Sequence, residues 1–77
     1  MKDPVDVDLR GLKCPLPVLK TRKALTRIAR GEILRVYSND PMAGIDIPHF
    51  CSESAHQLIS QTQADDGTLI FEIKNGK

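Results

Sequence analysis

A chain of 77 residues has room for one domain with a modest core, and a composition 40% hydrophobic and 27% charged, with a net charge of +1, excludes intrinsic disorder. The two cysteines are too few for a disulfide framework, which points to a reducing compartment, the cytoplasm; the near-neutral charge argues against bulk affinity for nucleic acid. No apolar run approaches membrane-spanning length, no signal-peptide core follows Met1-Lys2-Asp3-Pro4, and no repeat or linker divides residues 1–77, so a single domain is expected.

Val5-Asp6-Val7-Asp8-Leu9 alternates strictly and predicts a half-buried first strand. Gly11 permits a tight turn into Lys13-Cys14-Pro15-Leu16-Pro17-Val18. With Cys14 as N-cap, Pro15 and Pro17 fall at the first and third helical positions, where a missing N–H costs nothing. This arrangement predicts free Leu16 and Val18 N–H groups near the sulfur. It also places Cys14 at the positive end of a helix dipole, worth ~0.3–1 kcal/mol to an exposed thiolate. Arg10 and Lys13 add positive charge. Such surroundings pull a thiol from its ordinary value of about 8.5 to ~3.5–7.5, so Cys14 reads as an accessible nucleophile. Cysteine is a poor N-cap beside Ser, Asp or Asn, which weakens a merely structural reading.

The spacing also excludes a chemistry. In Cys-X-X-Cys the second cysteine resolves a mixed disulfide, and here Pro17 takes that place. A lone reactive sulfur suits another role, in which it accepts one sulfur atom, holds it as a persulfide and hands it on.

The helix is predicted from Pro15 to Arg30, ending at Gly31. Val18, Thr21, Ala24, Leu25, Ile28 and Ala29 form its core stripe, and Lys20, Lys23, Arg27 and Arg30 lie opposite. Leu16 points with the basic set and is a candidate partner contact, together with Lys20, Lys23 and Arg27; the stripe equally suits a simply solvated face. Glu32–Ser38 is the second strand, parallel to the first across a βαβ crossover. Asn39-Asp40-Pro41 signals a turn, and Met42–Ile45 reads as a loop at the carboxyl edge of the sheet, where ligands gather. Asp40 can therefore lie near Cys14. A carboxylate opposes thiolate formation, so Asp40 reads as a capping or partner-reading residue.

Asp46 reads as the N-cap of a second helix running to about Ile59, with Ile47, Phe50, Cys51, Ser54, Ala55, Leu58 and Ile59 on its apolar face. Cys51 is then a buried, inert thiol. His49 and His56 fall on the polar face, ~10 Å apart along the axis, too far to share a metal. No metal or other cofactor is expected. Gln61–Ala64, the Asp66-Gly67 turn and Thr68–Lys74 make a hairpin, and Asn75-Gly76-Lys77 a tail. The order βαβαββ predicts an α+β two-layer sandwich, a mixed sheet in the order 1-2-4-3 with both helices on one face. The other face, carrying Ile33, Tyr37, Ile70 and Glu72, is left open as a docking surface.

The Asp8-Leu9-Arg10-Gly11-Leu12-Lys13-Cys14-Pro15-Leu16-Pro17 stretch, Asn39-Asp40-Pro41, Asp46-Ile47-Pro48-His49-Phe50-Cys51 and His56-Gln57-Leu58 together resemble the TusA (SirA-like) family of sulfur carriers, over about Val5 to Lys74. The resemblance implies a compact two-layer fold of the order derived above. It implies that Cys14 accepts a persulfide sulfur from a donor protein, a cysteine desulfurase or a rhodanese-like sulfurtransferase, and relays it to an acceptor protein. The pathways so implied are tRNA 2-thiouridine formation, molybdenum-cofactor synthesis or other sulfur trafficking. The protein would then be a sulfurtransferase-type carrier without independent turnover. The family's namesake has glutamate between the two prolines where this chain has Leu16, replacing an anionic partner contact by an apolar one. A reading of a different class is a nucleic-acid-binding or regulatory module using the basic first helix; the low aromatic content, 4% with no Trp, counts against recognition by base stacking.

Overall fold

The strands alternate where the sequence alternates, and this builds the sheet. The computed structural model describes residues 3–77. The element order is β1 (Val5–Asp8), α1 (Leu16–Leu25), β2 (Ile33–Ser38), α2 (Ala43–Ser52), β3 (Gln57–Gln63) and β4 (Leu69–Lys74). β1 pairs parallel with β2, and β4 inserts antiparallel between β2 and β3, giving the order β1-β2-β4-β3. This is the predicted α+β sandwich, with the two helices packed against one another over one face of the sheet.

The inward positions of the central strands carry the core. Leu34 lies opposite Ile73 and Val36 opposite Phe71, and Leu25 of α1 and Ala43, Ile47 and Cys51 of α2 close over them. Burying one such side chain contributes about 1.5–3 kcal/mol. The outward positions hold polar groups across the strands. Arg35 lies between Asp6 at 3.4 Å and Glu72 at 3.3 Å, and the Ser60 hydroxyl donates to Glu72 at 2.9 Å. Ile33, Tyr37 and Ile70 are half-buried beside this network, so the face opposite the helices is mixed in character. In β3 an extra residue, Ile59, stands between Leu58 opposite Ile73 and Ser60 opposite Glu72. This bulge keeps Leu58 against the core and leaves Ile59 exposed.

Both helices depart from their predicted bounds. α1 stops at Leu25, not Arg30. Thr26 gives its hydroxyl and its N–H to the Lys23 carbonyl, at 2.6 and 3.1 Å, and the Arg27 N–H bonds Ala24 at 3.0 Å, tightening the last turn to three-residue spacing. The Asn75 amide then donates to the carbonyls of Leu25 and Ile28, at 3.1 and 2.8 Å. Asn75 is therefore a buried clasp on the end of α1, not part of a loose tail. Ala29, expected in the core, is exposed.

α2 is shifted towards the N-terminus. Met42–Ile45 is not a loop but the start of the helix, because Asp40 closes the turn that leads into it. Asp40 Oδ1 accepts the Met42 N–H at 3.2 Å, and the Asp40 carbonyl accepts the Ala43 N–H at 3.0 Å. The helix ends at Ser52, where the Ser52 and Ser54 hydroxyls donate to the carbonyls of His49 and Cys51. Leu58 and Ile59 consequently belong to β3. His56 lies beyond the helix, stacked near Phe50 with ring centres 5.7 Å apart, and its Nδ1 accepts the Gly76 N–H at 3.2 Å. Burial pushes its pKa below the ordinary histidine value.

Candidate functional site

The carboxyl ends of the two parallel strands meet above the sheet, and the loops leaving them are tied together. Leu9 extends the β1 ladder by one bond, its N–H to the Tyr37 carbonyl at 2.8 Å, and buries its side chain as an anchor. Gly11 turns the chain at φ +90°, a conformation that side chains rarely adopt, and its N–H reaches the Asn39 side-chain oxygen at 3.0 Å. The Cys14 N–H donates to Asp40 Oδ2. Asn39 and Asp40, directly after β2, thus hold the segment that presents Cys14. The thiol itself is exposed.

α1 begins just behind the sulfur, one residue later than predicted. Pro15 rather than Cys14 is the N-cap, with no side-chain capping bond, and Leu16 and Pro17 are the first helical residues. Pro17 is buried and pins this end of the helix on the core. The Leu16 N–H is not free: it donates to the Lys13 carbonyl at 2.8 Å. Arg10 is held by Asp8 through two bonds of 2.9 Å, and this pair lowers the Asp8 pKa to about 2. Lys13 is exposed and forms no ion pair among the described residues.

The neighbour the thiol does have is acidic. Cys14 Sγ donates to Asp46 Oδ2 at 3.1 Å, across from the first turns of α2. This bond, with desolvation and the charges of Asp46 and Asp40, raises the Cys14 pKa above the ordinary thiol value. The residue is thus accessible, as the sequence predicts, but its surroundings raise the pKa of its thiol instead of lowering it. Asp46 is not the N-cap that the sequence suggests; with α2 starting four residues earlier, its carboxylate is released to face the sulfur.

Four apolar side chains are exposed on the two helix starts that flank the site. Leu16 is 42% exposed and Leu19 46%, while Met42 and Ile45, in the turn that carries Asp46, are 44% and 64% exposed. Of these the sequence points to Leu16 alone. Exposure of Met42 and Ile45 follows from the early start of α2, which turns them away from the core. Lys20, Lys23 and Arg27 are exposed and line a groove of about 540 Å³ with Val5, Val7 and Leu9. Asp40 is half-buried and committed to two backbone N–H groups. Val18 is half-buried against the groove between the helices, with Arg22, Asp46 and His49. Cys51 is buried in the core, and burial pushes its thiol up as well. Among the described residues no helix is long and apolar enough to cross a membrane.

Comparison with known proteins places the chain among relatives and agrees with the fold. A family profile described as "Sulfurtransferase TusA" matches residues 5–75. The protein named "Sulfur carrier protein TusA" of Pseudomonas putida is 38% identical over 68 residues, covering 88% of this chain and 84% of that one. The Bacillus subtilis protein YrkI is 35% identical over 77 residues, covering 99% and 100%. Among solved structures, a SirA-like protein from Desulfitobacterium hafniense superposes with a TM-score of 0.82 over 95% of this chain and 99% of that one, at 22% identity.

Proposed function

We propose that this chain, which belongs to the TusA family of sulfurtransferases, performs the family's sulfur-carrier role by holding a persulfide on Cys14. The observation that carries the proposal is the exposed sulfur at the head of α1, with the other cysteine buried in the core. A thiol so placed can reach a second protein, and it has no surface cysteine of its own chain to be closed upon.

The step balances without an oxidant. Cys14 Sγ attacks the terminal sulfur of a donor persulfide, the new S–S bond forms, and the donor's own S–S bond breaks. The donor leaves as a thiol, taking the proton that Cys14 gives up, and the same exchange in reverse delivers the sulfur to an acceptor. A cysteine desulfurase or a rhodanese-like protein suits the donor role. The acceptor would lead to tRNA thiolation, molybdenum-cofactor synthesis or another branch of sulfur trafficking, with the cytoplasm as the site of action. The apolar rim of Leu16, Leu19, Met42 and Ile45 and the basic line of Lys20, Lys23 and Arg27 supply the partner-reading surface.

Incubation with a cysteine desulfurase and cysteine is expected to add one sulfur atom to the intact mass, and Cys14→Ser to abolish the addition. An added sulfur that persists in Cys14→Ser overturns the assignment.

A further inference from the structure

We propose that Asp46 is an electrostatic lock on Cys14: its carboxylate holds the empty carrier's sulfur mostly in the protonated form and so slows, without abolishing, its attack. The inference rests on the carrier reading for its biological meaning but not for its chemistry. The geometry is direct. Cys14 Sγ lies 3.1 Å from Asp46 Oδ2 in donor orientation, and the Cys14 backbone is anchored through its N–H to Asp40. Both acidic groups come from the segment that leaves β2 and begins α2, so the contact is built by the fold rather than by a mobile side chain alone.

The charged groups that act on the sulfur, Asp46 and Asp40, agree in sign. From α2 comes Asp46, with His49 one turn further along the same helix, and from the loop before α2 comes Asp40. The first turn of α1 brings no charged side chain, its leading residues being Leu16, Pro17, Val18 and Leu19. Arg22, further along α1, lines the same groove as Asp46 and His49 but forms no ion pair with Asp46. Lys13 is exposed without an ion pair among the described residues, and Arg10 is held by Asp8. A hydrogen bond from S–H to a carboxylate exists only in the protonated state, and deprotonation would set two negative charges side by side. The raised Cys14 pKa has this bond as its largest cause.

The lock has a use. The thiolate, not the thiol, reacts with oxidants and electrophiles, so an empty carrier kept in the thiol form is shielded although its sulfur is exposed. Once the sulfur is loaded, Sγ carries no proton and the bond to Asp46 is lost. The carboxylate then repels the terminal persulfide anion and turns it outward, towards an acceptor.

The test is alkylation of the full chain by iodoacetamide across a range of pH, with the modified cysteine identified by peptide mass. The wild-type Cys14 profile is expected to have its midpoint above the ordinary thiol value of about 8.5. Asp46→Asn is expected to move it to lower pH and raise the rate at neutral pH on the order of tenfold, one pKa unit being a factor of ten in thiolate. A wild-type midpoint at or below the ordinary value overturns the lock without any variant. So does an Asp46→Asn profile that overlays the wild type in a protein with an unchanged circular dichroism spectrum. Because alkylation needs no sulfur donor, a lock that holds while desulfurase loading fails would count against the carrier reading alone, and the converse against the lock alone.

Discussion

Asp40 gives one carboxylate oxygen to the Met42 N–H and the other to the Cys14 N–H, and so joins the start of α2 to the segment that presents the sulfur. Both donors are backbone groups that would otherwise be left without a protein partner. Removing a capping acceptor costs about 1 kcal/mol, and losing the second bond, also at the surface, adds about 0.5–1.5 kcal/mol. Asp40→Ala is therefore expected to lower the unfolding free energy by roughly 2 kcal/mol in a urea titration, and Asp40→Asn, which keeps one acceptor oxygen, by less. An Ala variant that unfolds at the wild-type midpoint would show that the two bonds do not tie the segments together. Cys14 is legible in the sequence, since two prolines flanking a leucine after a cysteine leave few readings of that turn. The role of Asp46 is not. Asp40 and Asp46 are both good capping residues, and placing Asp46 at the cap of α2 commits its carboxylate to the helix start and hides its contact with the sulfur, although Ile47, Phe50 and Cys51 still fall on the core face as read.

At the scale of elements, β1, β2 and β4 are readable because alternation is a local signal, whereas the first half of β3 reads as the end of α2; the strand order follows from a βαβ unit joined to a hairpin. The helix ends are not, because distant residues set them. α1 carries helical periodicity as far as Ala29, yet Asn75 captures the carbonyls of Leu25 and Ile28 and holds the chain in a different path. The same residue receives the Gly31 N–H on its carbonyl at 2.8 Å and donates its own N–H to the Glu32 carbonyl at 2.8 Å, so the last residues of the chain seal the α1–β2 connection. Nothing local to Thr26–Gly31 announces a partner so far along the sequence. Asn75→Ala would leave two carbonyls unpaired, one buried and one half-buried. The stranded buried acceptor costs about 1–3 kcal/mol and the half-buried one about 1 kcal/mol, so the variant is expected to lose roughly 2–4 kcal/mol of stability. The loss should appear as a lower urea midpoint with Cys14 alkylation at neutral pH unchanged in the absence of urea, since the clasp lies at the opposite end of the helix from the sulfur. A variant within about 0.5 kcal/mol of the wild type would show that Asn75 does not seal this end.

For the molecule as a whole, the site has no independent existence. Cys14, Asp40 and Asp46 come from the loop after β1, the loop after β2 and the body of α2, and they meet because Leu9, Ala43 and Ile47 share one core with Val36 and Phe71. A domain of this size holds only about 0.05–0.15 kcal/mol per residue of net stability, and single domains of this length usually unfold in one step. Loss of the core must then separate the sulfur from Asp46 and free the thiol to titrate as in a peptide. The rate of Cys14 alkylation at neutral pH is expected to rise along the urea curve with the same midpoint as the circular dichroism signal. Phe71→Leu, which keeps most of the buried volume at the centre of the sheet, should move both midpoints down together by the equivalent of about 1 kcal/mol. A thiol that becomes reactive well before the helices melt would mean that the carboxyl edge of the sheet opens as a separate unit of low stability. The lock on the sulfur would then be a property of two loops and a helix start, and mutations in the core would leave it untouched.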